Sequence, residues 1–351
     1  MKTTAMIQEA LKRLADPDLL KAPRHLTGQD PWPDVFHCFD AVSLAALRSA
    51  VAAQRPLLIR GEPGIGKSQI ARAAADVLGA KFLPFVVNST CESGDLLAAA
   101  DPVARLVQAQ ILGAGVETNQ APAKITCAEA ETDQAEGWEA RLDENRFLTP
   151  RPLWWALNWG SAKAHDAQCF RPVREPHPQL ENWAASSGCV VLIDEIDKAD
   201  SDFPNGLLES LGNSGFQLLQ GSKTIVRDPE QAPPLIVVTT NEDRELPAAF
   251  LRRCLVLHLA FPEDDSEALT FLSQRARAHF PKTEFPTKVL RAAGKQLLED
   301  RAATQAGQPK PGAAEYLDLL RALQNLAPDD WTSQTRLLRE IGRYFLRKES
   351  R

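Results

Sequence analysis

Short apolar runs and longer amphipathic stretches alternate along the chain. Five runs, Pro56–Ile59, Phe82–Val87, Cys189–Ile193, Pro234–Thr239 and Cys254–Ala260, are rich in Val, Leu and Ile and bounded by polar residues. Apolar runs of this length without polar alternation predict strands buried on both faces. Helix-period patterns separate them, so the expected class is α/β, a parallel sheet covered by helices. From about Asp264 the strand pattern stops. Helical periodicity continues through Ser266–Phe280, Thr287–Asp300, Ala313–Leu326 and Thr332–Arg347, which predicts a small all-helical second domain. In the last segment Leu337, Leu338, Ile341 and Phe345 share one stripe, expected to pack against the other helices, with Arg336, Arg339, Arg343 and Arg347 mostly elsewhere.

Two stretches break the alternation. Residues 1 to about 35 read as a short helix followed by a Pro/Trp-rich connector, LTGQDPWPDVF. Between roughly Gly113 and Asn145 the chain turns acidic, Ala-rich and poor in large aliphatics, the composition of a surface insertion. A length of 351 residues fits two domains, or one with an appendage. The net charge of −6 argues against the whole molecule being an electrostatic nucleic-acid binder, although a local basic patch is compatible with it. Six cysteines are scattered with no CxxC pair, which argues against a zinc site or a disulfide framework and fits a reducing cytoplasm. No apolar stretch approaches the roughly 20 residues a membrane span needs. The amino terminus lacks the apolar core of a signal peptide.

The sharpest motif follows the first run. Residues 61–68 read GEPGIGKS, the pattern G-x-x-x-x-G-K-[ST], between an expected strand and the helical run QIARAAADVL. That context is what a phosphate-binding loop requires. Gly61, Gly64 and Gly66, with Glu62, Pro63 and Ile65 between them, let backbone N–H groups turn inward around phosphate oxygens. The helix beginning near Lys67 presents its positive end to the same anion, and Gln69 lies in its first turn. Lys67 is expected to reach the terminal phosphates, and Ser68 to offer a hydroxyl to Mg²⁺.

Carboxylates and arginines sit at matching places farther on. The third run ends in Asp194 and Glu195 within CVVLIDEIDK. Neighbouring residues at a strand end project in different directions, so Asp194 can face a metal ion while Glu195 faces an attacking water. Asp197 and Lys198 read as solvated residues, with a subunit interface as the alternative. The fourth run ends at Asn241, a polar tip able to bond both a phosphate and a water. Arg252 and Arg253 then lie on a helix leading into the fifth run. Arginine suits charge developing on a transferred phosphoryl group, because it is always charged and offers a fork of donors.

Together GEPGIGKS, NSTCESGDLL, LIDEIDKADSDFPNGLLESL, TTNEDRELPAAFLRRC and KPGAAEYLDLLRAL resemble the AAA+ superfamily, and within it the MoxR-type and dynein-related ATPases, over about residues 36 to 348. The resemblance implies a P-loop three-layer αβα core with strand order 5-1-4-3-2 and a helical lid. It also implies ATP and Mg²⁺ as ligands, and a ring of identical chains, usually six, with ATP between subunits. The implied organisation is a segment over 1–35, a nucleotide-binding core over 36–263 with an insertion at about 92–160, and a lid over 264–351. On the family's pattern Gly61, Gly66, Lys67 and Ser68 form the phosphate loop. Asp194 and Glu195 form the Walker B pair, and Asn241 is the first sensor. Arg253 is the better candidate for the arginine acting on a neighbour, since Arg252 stands where the family has Asp. Asn88 falls where many members keep a residue touching the catalytic glutamate. Lys310 and Arg321 lie near the second sensor's expected place, and neither matches it well. Trp154 and Trp155, in the insertion, either pack beneath it or grip a partner chain. The implied activity is ATP-driven remodelling of a partner protein, often one with a von Willebrand factor A domain. The alternatives are an ATP- or GTP-driven motor of a nucleic-acid-directed defence complex, and a nucleotide-dependent switch.

Overall fold

In a computed structural model the five apolar runs become one parallel sheet: β1 (Leu57–Gly61), β2 (Lys81–Val86), β3 (Cys189–Asp194), β4 (Leu235–Thr240) and β5 (Leu255–Leu259). The structure describes residues 2–28, 32–117, 138–173, 183–213, 215–218, 224–281, 283, 285–305, 308–328 and 330–346. The order across the sheet is β5-β1-β4-β3-β2, the arrangement expected for the core strands. Successive side chains point to opposite faces of a strand, and the sheet uses both. Leu57, Ile59, Val190, Leu192, Leu235 and Val237 pack on one side, against the helices Lys2–Leu14, Ala41–Ala53 and Lys67–Leu78. Leu58, Leu83, Val191, Ile193 and Val238 pack on the other, under Trp154, Trp155, Phe203, Leu207 and Phe250. Burial on both faces is why the runs of β1, β3 and β4 carry no polar alternation, whereas β5, at the sheet edge, leaves Val256 and His258 exposed.

Part of residues 92–160 packs on this second face. Ala98–Ala100 pairs antiparallel with Leu148–Pro150, and the helix Pro152–Leu157 that follows lies under the sheet. Trp154 and Trp155 are 0% and 2% exposed, with their indole N–H groups donating to Ser161 Oγ at 3.3 Å and Pro150 O at 3.2 Å. Both indoles therefore pack inside the core. Most of the acidic stretch, residues 118–137, lies outside the described residues, as do Cys127 and Arg347.

Beyond β5 four helices, Asp265–His279, Thr287–Ala303, Ala313–Leu326 and Trp331–Leu346, share a separate cluster around Leu272, Leu290, Tyr316 and Leu320. Leu338 is buried there, and Leu337, Ile341 and Phe345 pack against it. Ile65 of the glycine-rich loop joins the same cluster, so this helical group is fastened directly over the carboxyl end of β1. The described cysteines are free, and burial pushes the Cys254 thiol up to about 12. No described helix is long and apolar enough to cross a membrane.

Candidate functional site

A parallel sheet with helices on its faces leaves its crevice at the carboxyl ends of the strands. There β1 ends at Gly61, and the chain crosses Glu62–Gly66 before the helix Lys67–Leu78 begins. Gly64 and Gly66 take φ of 74° and 104°, which side-chain-bearing residues rarely adopt. A Cβ on Gly64 would stand 2.9 Å from the Ala314 Cβ, and one on Gly66 would stand 3.2 Å from Arg275 Nη1. The loop is thus pressed against the helical group, and only glycine fits.

Lys67 is 6% exposed. Its ammonium donates to Gly61 O at 2.7 Å, Glu62 O at 3.0 Å and Asn241 Oδ1 at 2.7 Å. Burial holds its pKa below the usual lysine value, opposed by the nearby charges of Asp194, Asp197, Glu195 and Asp243. Gln69, in the same first turn of the helix, has a buried side-chain oxygen with no partner among the described residues.

The acids converge from β3. Val238 pairs with Ile193 in the sheet register, so the next residues, Thr239 and Asp194, meet at the strand ends. Asp194 Oδ1 accepts from Ser68 Oγ at 2.7 Å and from Thr239 Oγ1 at 2.5 Å. The same Thr239 hydroxyl accepts the Glu195 N–H at 2.9 Å. Glu195 has φ 60°, a left-handed conformation uncommon without glycine, and this turns its carboxylate away from the strand line. That carboxylate is paired with Lys198, and its other oxygen lies 3.5 Å from Asn241 Nδ2. Hydroxyl and carboxylate oxygens on Ser68 and Asp194 are a hard donor set of the kind Mg²⁺ takes, so these two residues fit that ion.

Several expectations fall elsewhere. Asp197 is not solvated: it is 2% exposed, and its Oδ2 accepts the N–H groups of Asn241 at 3.1 Å and Asp243 at 3.0 Å. Asn88 does not reach Glu195. Its side-chain oxygen accepts from the Thr90 N–H at 2.9 Å and Thr90 Oγ1 at 2.8 Å. Arg252 and Arg253 are exposed, and their side chains have no hydrogen-bonding or ionic partner among the described residues. Arg55 donates to the backbone carbonyls of Arg252 and Arg253, fixing the end of their helix. Lys310 is exposed, and Arg321 pairs with Asp318 at 2.7 Å; neither has a hydrogen bond or ion pair to the loop among the described residues.

The arginines that do touch the loop are Arg275 and Arg301, which sequence reasoning missed. Arg301 pairs with Glu62 at 2.9 Å, donates to Pro311 O at 2.7 Å and stacks 4.0 Å over the Phe261 ring. Arg275 stacks 4.3 Å over Phe271 beside Gly66. Nothing in their spacing sets them apart from arginines on a solvated helix face. Thr239 was hidden too, inside a run read only as a buried strand.

No family model matches the chain, and no curated protein matches it. Among solved structures the chain is similar to RuvB of Thermotoga maritima, a Holliday junction branch migration motor. Identity there is 15% over 85% of this chain and 66% of that one, with a TM-score of 0.42. A point mutant of the same RuvB gives 14% identity over 86% of this chain and 68% of that one, with a TM-score of 0.44. A candidate ATPase from Cytophaga hutchinsonii gives 12% identity over 98% of this chain and 88% of that one, with a TM-score of 0.37. All three scores lie below 0.5, so the site's own geometry has to carry any assignment.

Proposed function

We propose that this chain is an ATPase of the AAA+ type, MoxR-like, which binds ATP through Gly61–Gln69 and hydrolyses it with Glu195. What carries the proposal is one convergence. Lys67, Ser68, Asp194, Glu195 and Asn241 come from three strand ends and stand in mutual hydrogen-bonding reach, with Lys67 to Asn241 at 2.7 Å and Ser68 to Asp194 at 2.7 Å. Loop amides and the amino end of the following helix receive the polyphosphate. The Lys67 donors now given to two carbonyls and Asn241 turn to phosphate oxygens. Ser68 and Asp194 hold Mg²⁺, which when bound neutralises phosphate charge. Glu195 accepts a proton from the water that attacks the γ-phosphorus. The bond to the bridging oxygen breaks, and ADP and phosphate leave. Asn241, beside Glu195, orients that water through its amide.

In this proposal residues 36–263 are the nucleotide-binding core, with the insertion at about 92–160, and 264–351 are the lid. Residues 1–35 form an appended segment. Arg253, with Arg252 beside it, is exposed because its target is the nucleotide of a neighbouring copy. The chain works as a ring, six copies in the family's usual form, in the cytoplasm, and uses ATP to remodel a protein partner such as one with a von Willebrand factor A domain.

The test is binding and turnover together. The parent should bind Mg·ATP in calorimetry and release phosphate, and Lys67→Ala should lose both. A Lys67→Ala protein that binds Mg·ATP as tightly as the parent would place the nucleotide elsewhere.

A further inference from the structure

We infer that Asp197 is a positioning residue for hydrolysis: its carboxylate ties the tip of β4 to the tip of β3 and so sets Asn241 against Glu195. The inference rests on the ATPase proposal and goes beyond it, because Asp197 touches neither phosphate nor metal ligand there.

The geometry is local and complete on one side. After Glu195 the chain makes a single tight turn, Ile196–Lys198, which drives Asp197 inward until it is 2% exposed. After β4 the chain passes Asn241, Glu242 and Asp243, with Glu242 at φ 65°. A left-handed residue at that point turns the N–H groups of Asn241 and Asp243 toward one side, a concavity suited to an anion, while the Glu242 N–H goes to Thr240 Oγ1. The anion present is Asp197, whose Oδ2 takes both N–H groups, at 3.1 and 3.0 Å. Arg244 adds a second tie, donating to Ala199 O at 3.3 Å and Asp200 Oδ1 at 3.2 Å. Glu195 immediately precedes the clamped turn, and Asn241 opens the clamped loop. Their 3.5 Å approach is therefore held from below by Asp197.

A purely architectural role fits less well. The β3–β4 pairing runs from Leu235 to Val238 and is finished before the clamp begins. The phosphate loop, on β1, has no hydrogen bond to Asp197 among the described residues. Removing the carboxylate leaves two N–H groups without their acceptor, and the loop carrying Asn241 is free to reorient. Small misplacements of catalytic groups are expensive: about 1 Å costs on the order of 10²-fold in rate.

The experiment compares Asp197→Ala and Asp197→Asn with Glu195→Gln as the reference, measuring Mg·ATP affinity, kcat and melting temperature on the full chain. Asp197→Ala should lose roughly 10- to 100-fold in kcat while ATP affinity stays within about threefold. Asp197→Asn keeps an acceptor oxygen for both N–H groups and should recover most of the parent kcat. Parent-like turnover in Asp197→Ala would overturn the inference, and so would loss of ATP binding in step with turnover, or an Asp197→Asn protein as slow as Asp197→Ala. Should Asp197→Ala fail to fold, amide hydrogen exchange on the parent decides the matter. The Asn241 and Asp243 amides should be protected, and unprotected amides there would overturn the clamp. Failure of Glu195→Gln to slow turnover would count against the ATPase proposal instead, whatever Asp197 does.

Discussion

Thr239 carries two hydrogen bonds that tie the site's two acids together. Its hydroxyl donates to Asp194 and accepts from the Glu195 backbone, so one buried oxygen orients both acids. Valine has the same shape without the donor and acceptor. Thr239→Val should therefore fold, since the residue is fully buried among apolar strand neighbours, and should weaken Mg²⁺-dependent ATP affinity and slow turnover. Affinity titrated with and without Mg²⁺ checks this, and an unchanged Mg²⁺ dependence would mean Asp194 needs no such guide. At this scale the sequence was legible where spacing is tied to chemistry. Lys67 and Ser68 announce themselves through the glycines before them, and Asp194 and Glu195 through a charged pair ending an apolar run. Asp197 and Thr239 were not legible. An acid two residues beyond a pair of acids looks solvated, and a threonine in a strand looks like β-propensity. Only the register of β3 against β4 brings them into play.

The inner strands were legible as elements for one physical reason, burial on both faces, which leaves apolar runs without interruption, while β5 shows that an edge strand with Val256 and His258 exposed carries a similar run. The pairing of Ala98–Ala100 with Leu148–Pro150 was not, because about fifty residues separate its halves and neither half has a periodic signature. The antiparallel pairing of Arg24–Leu26 with Val35–His37 was equally silent. It holds His37, buried against Phe39 in an edge-on contact at 4.6 Å, beside the helix Asp265–His279. Burial lowers His37 from 6.5 to about 3, helped by Arg275 and His279 and opposed by Asp40. Burial and the charges of Arg275 and Arg321 lower His279 from 6.5 to about 4. The sign follows from proton counting. Below 6.5 the unfolded chain binds protons that the folded chain refuses until about 4 for His279 and about 3 for His37. Stability should therefore be flat with respect to these two groups above 6.5 and fall as pH drops from there. His37→Gln should narrow the difference in melting temperature between pH 7.5 and pH 5. A difference equal to the parent's would show that His37 does not govern the acid lability.

At the scale of the whole molecule the site is built from two bodies of packing. The sheet's carboxyl ends and the helix Lys67–Leu78 supply Lys67, Ser68, Asp194, Glu195 and Asn241, and the C-terminal helices press Ala314, Arg275 and Arg301 onto the glycine loop. Ala314 packs directly on the loop at Gly64, so a change in the loop must be felt by the helical group. What the single chain leaves over is Arg252 and Arg253, with side chains exposed and unpaired among the described residues at the end of a helix fixed by Arg55. In the proposed ring they complete the next copy's site, and this divides hydrolysis between two chains. The most direct test is ATP turnover by Glu195→Gln, by Arg253→Ala and by their equimolar mixture, with ATP binding measured in parallel. Both variants should bind ATP, each alone should fall roughly 10²- to 10⁴-fold below the parent, and the mixture should recover part of the activity. Parental turnover by Glu195→Gln alone would contradict Glu195 as the base.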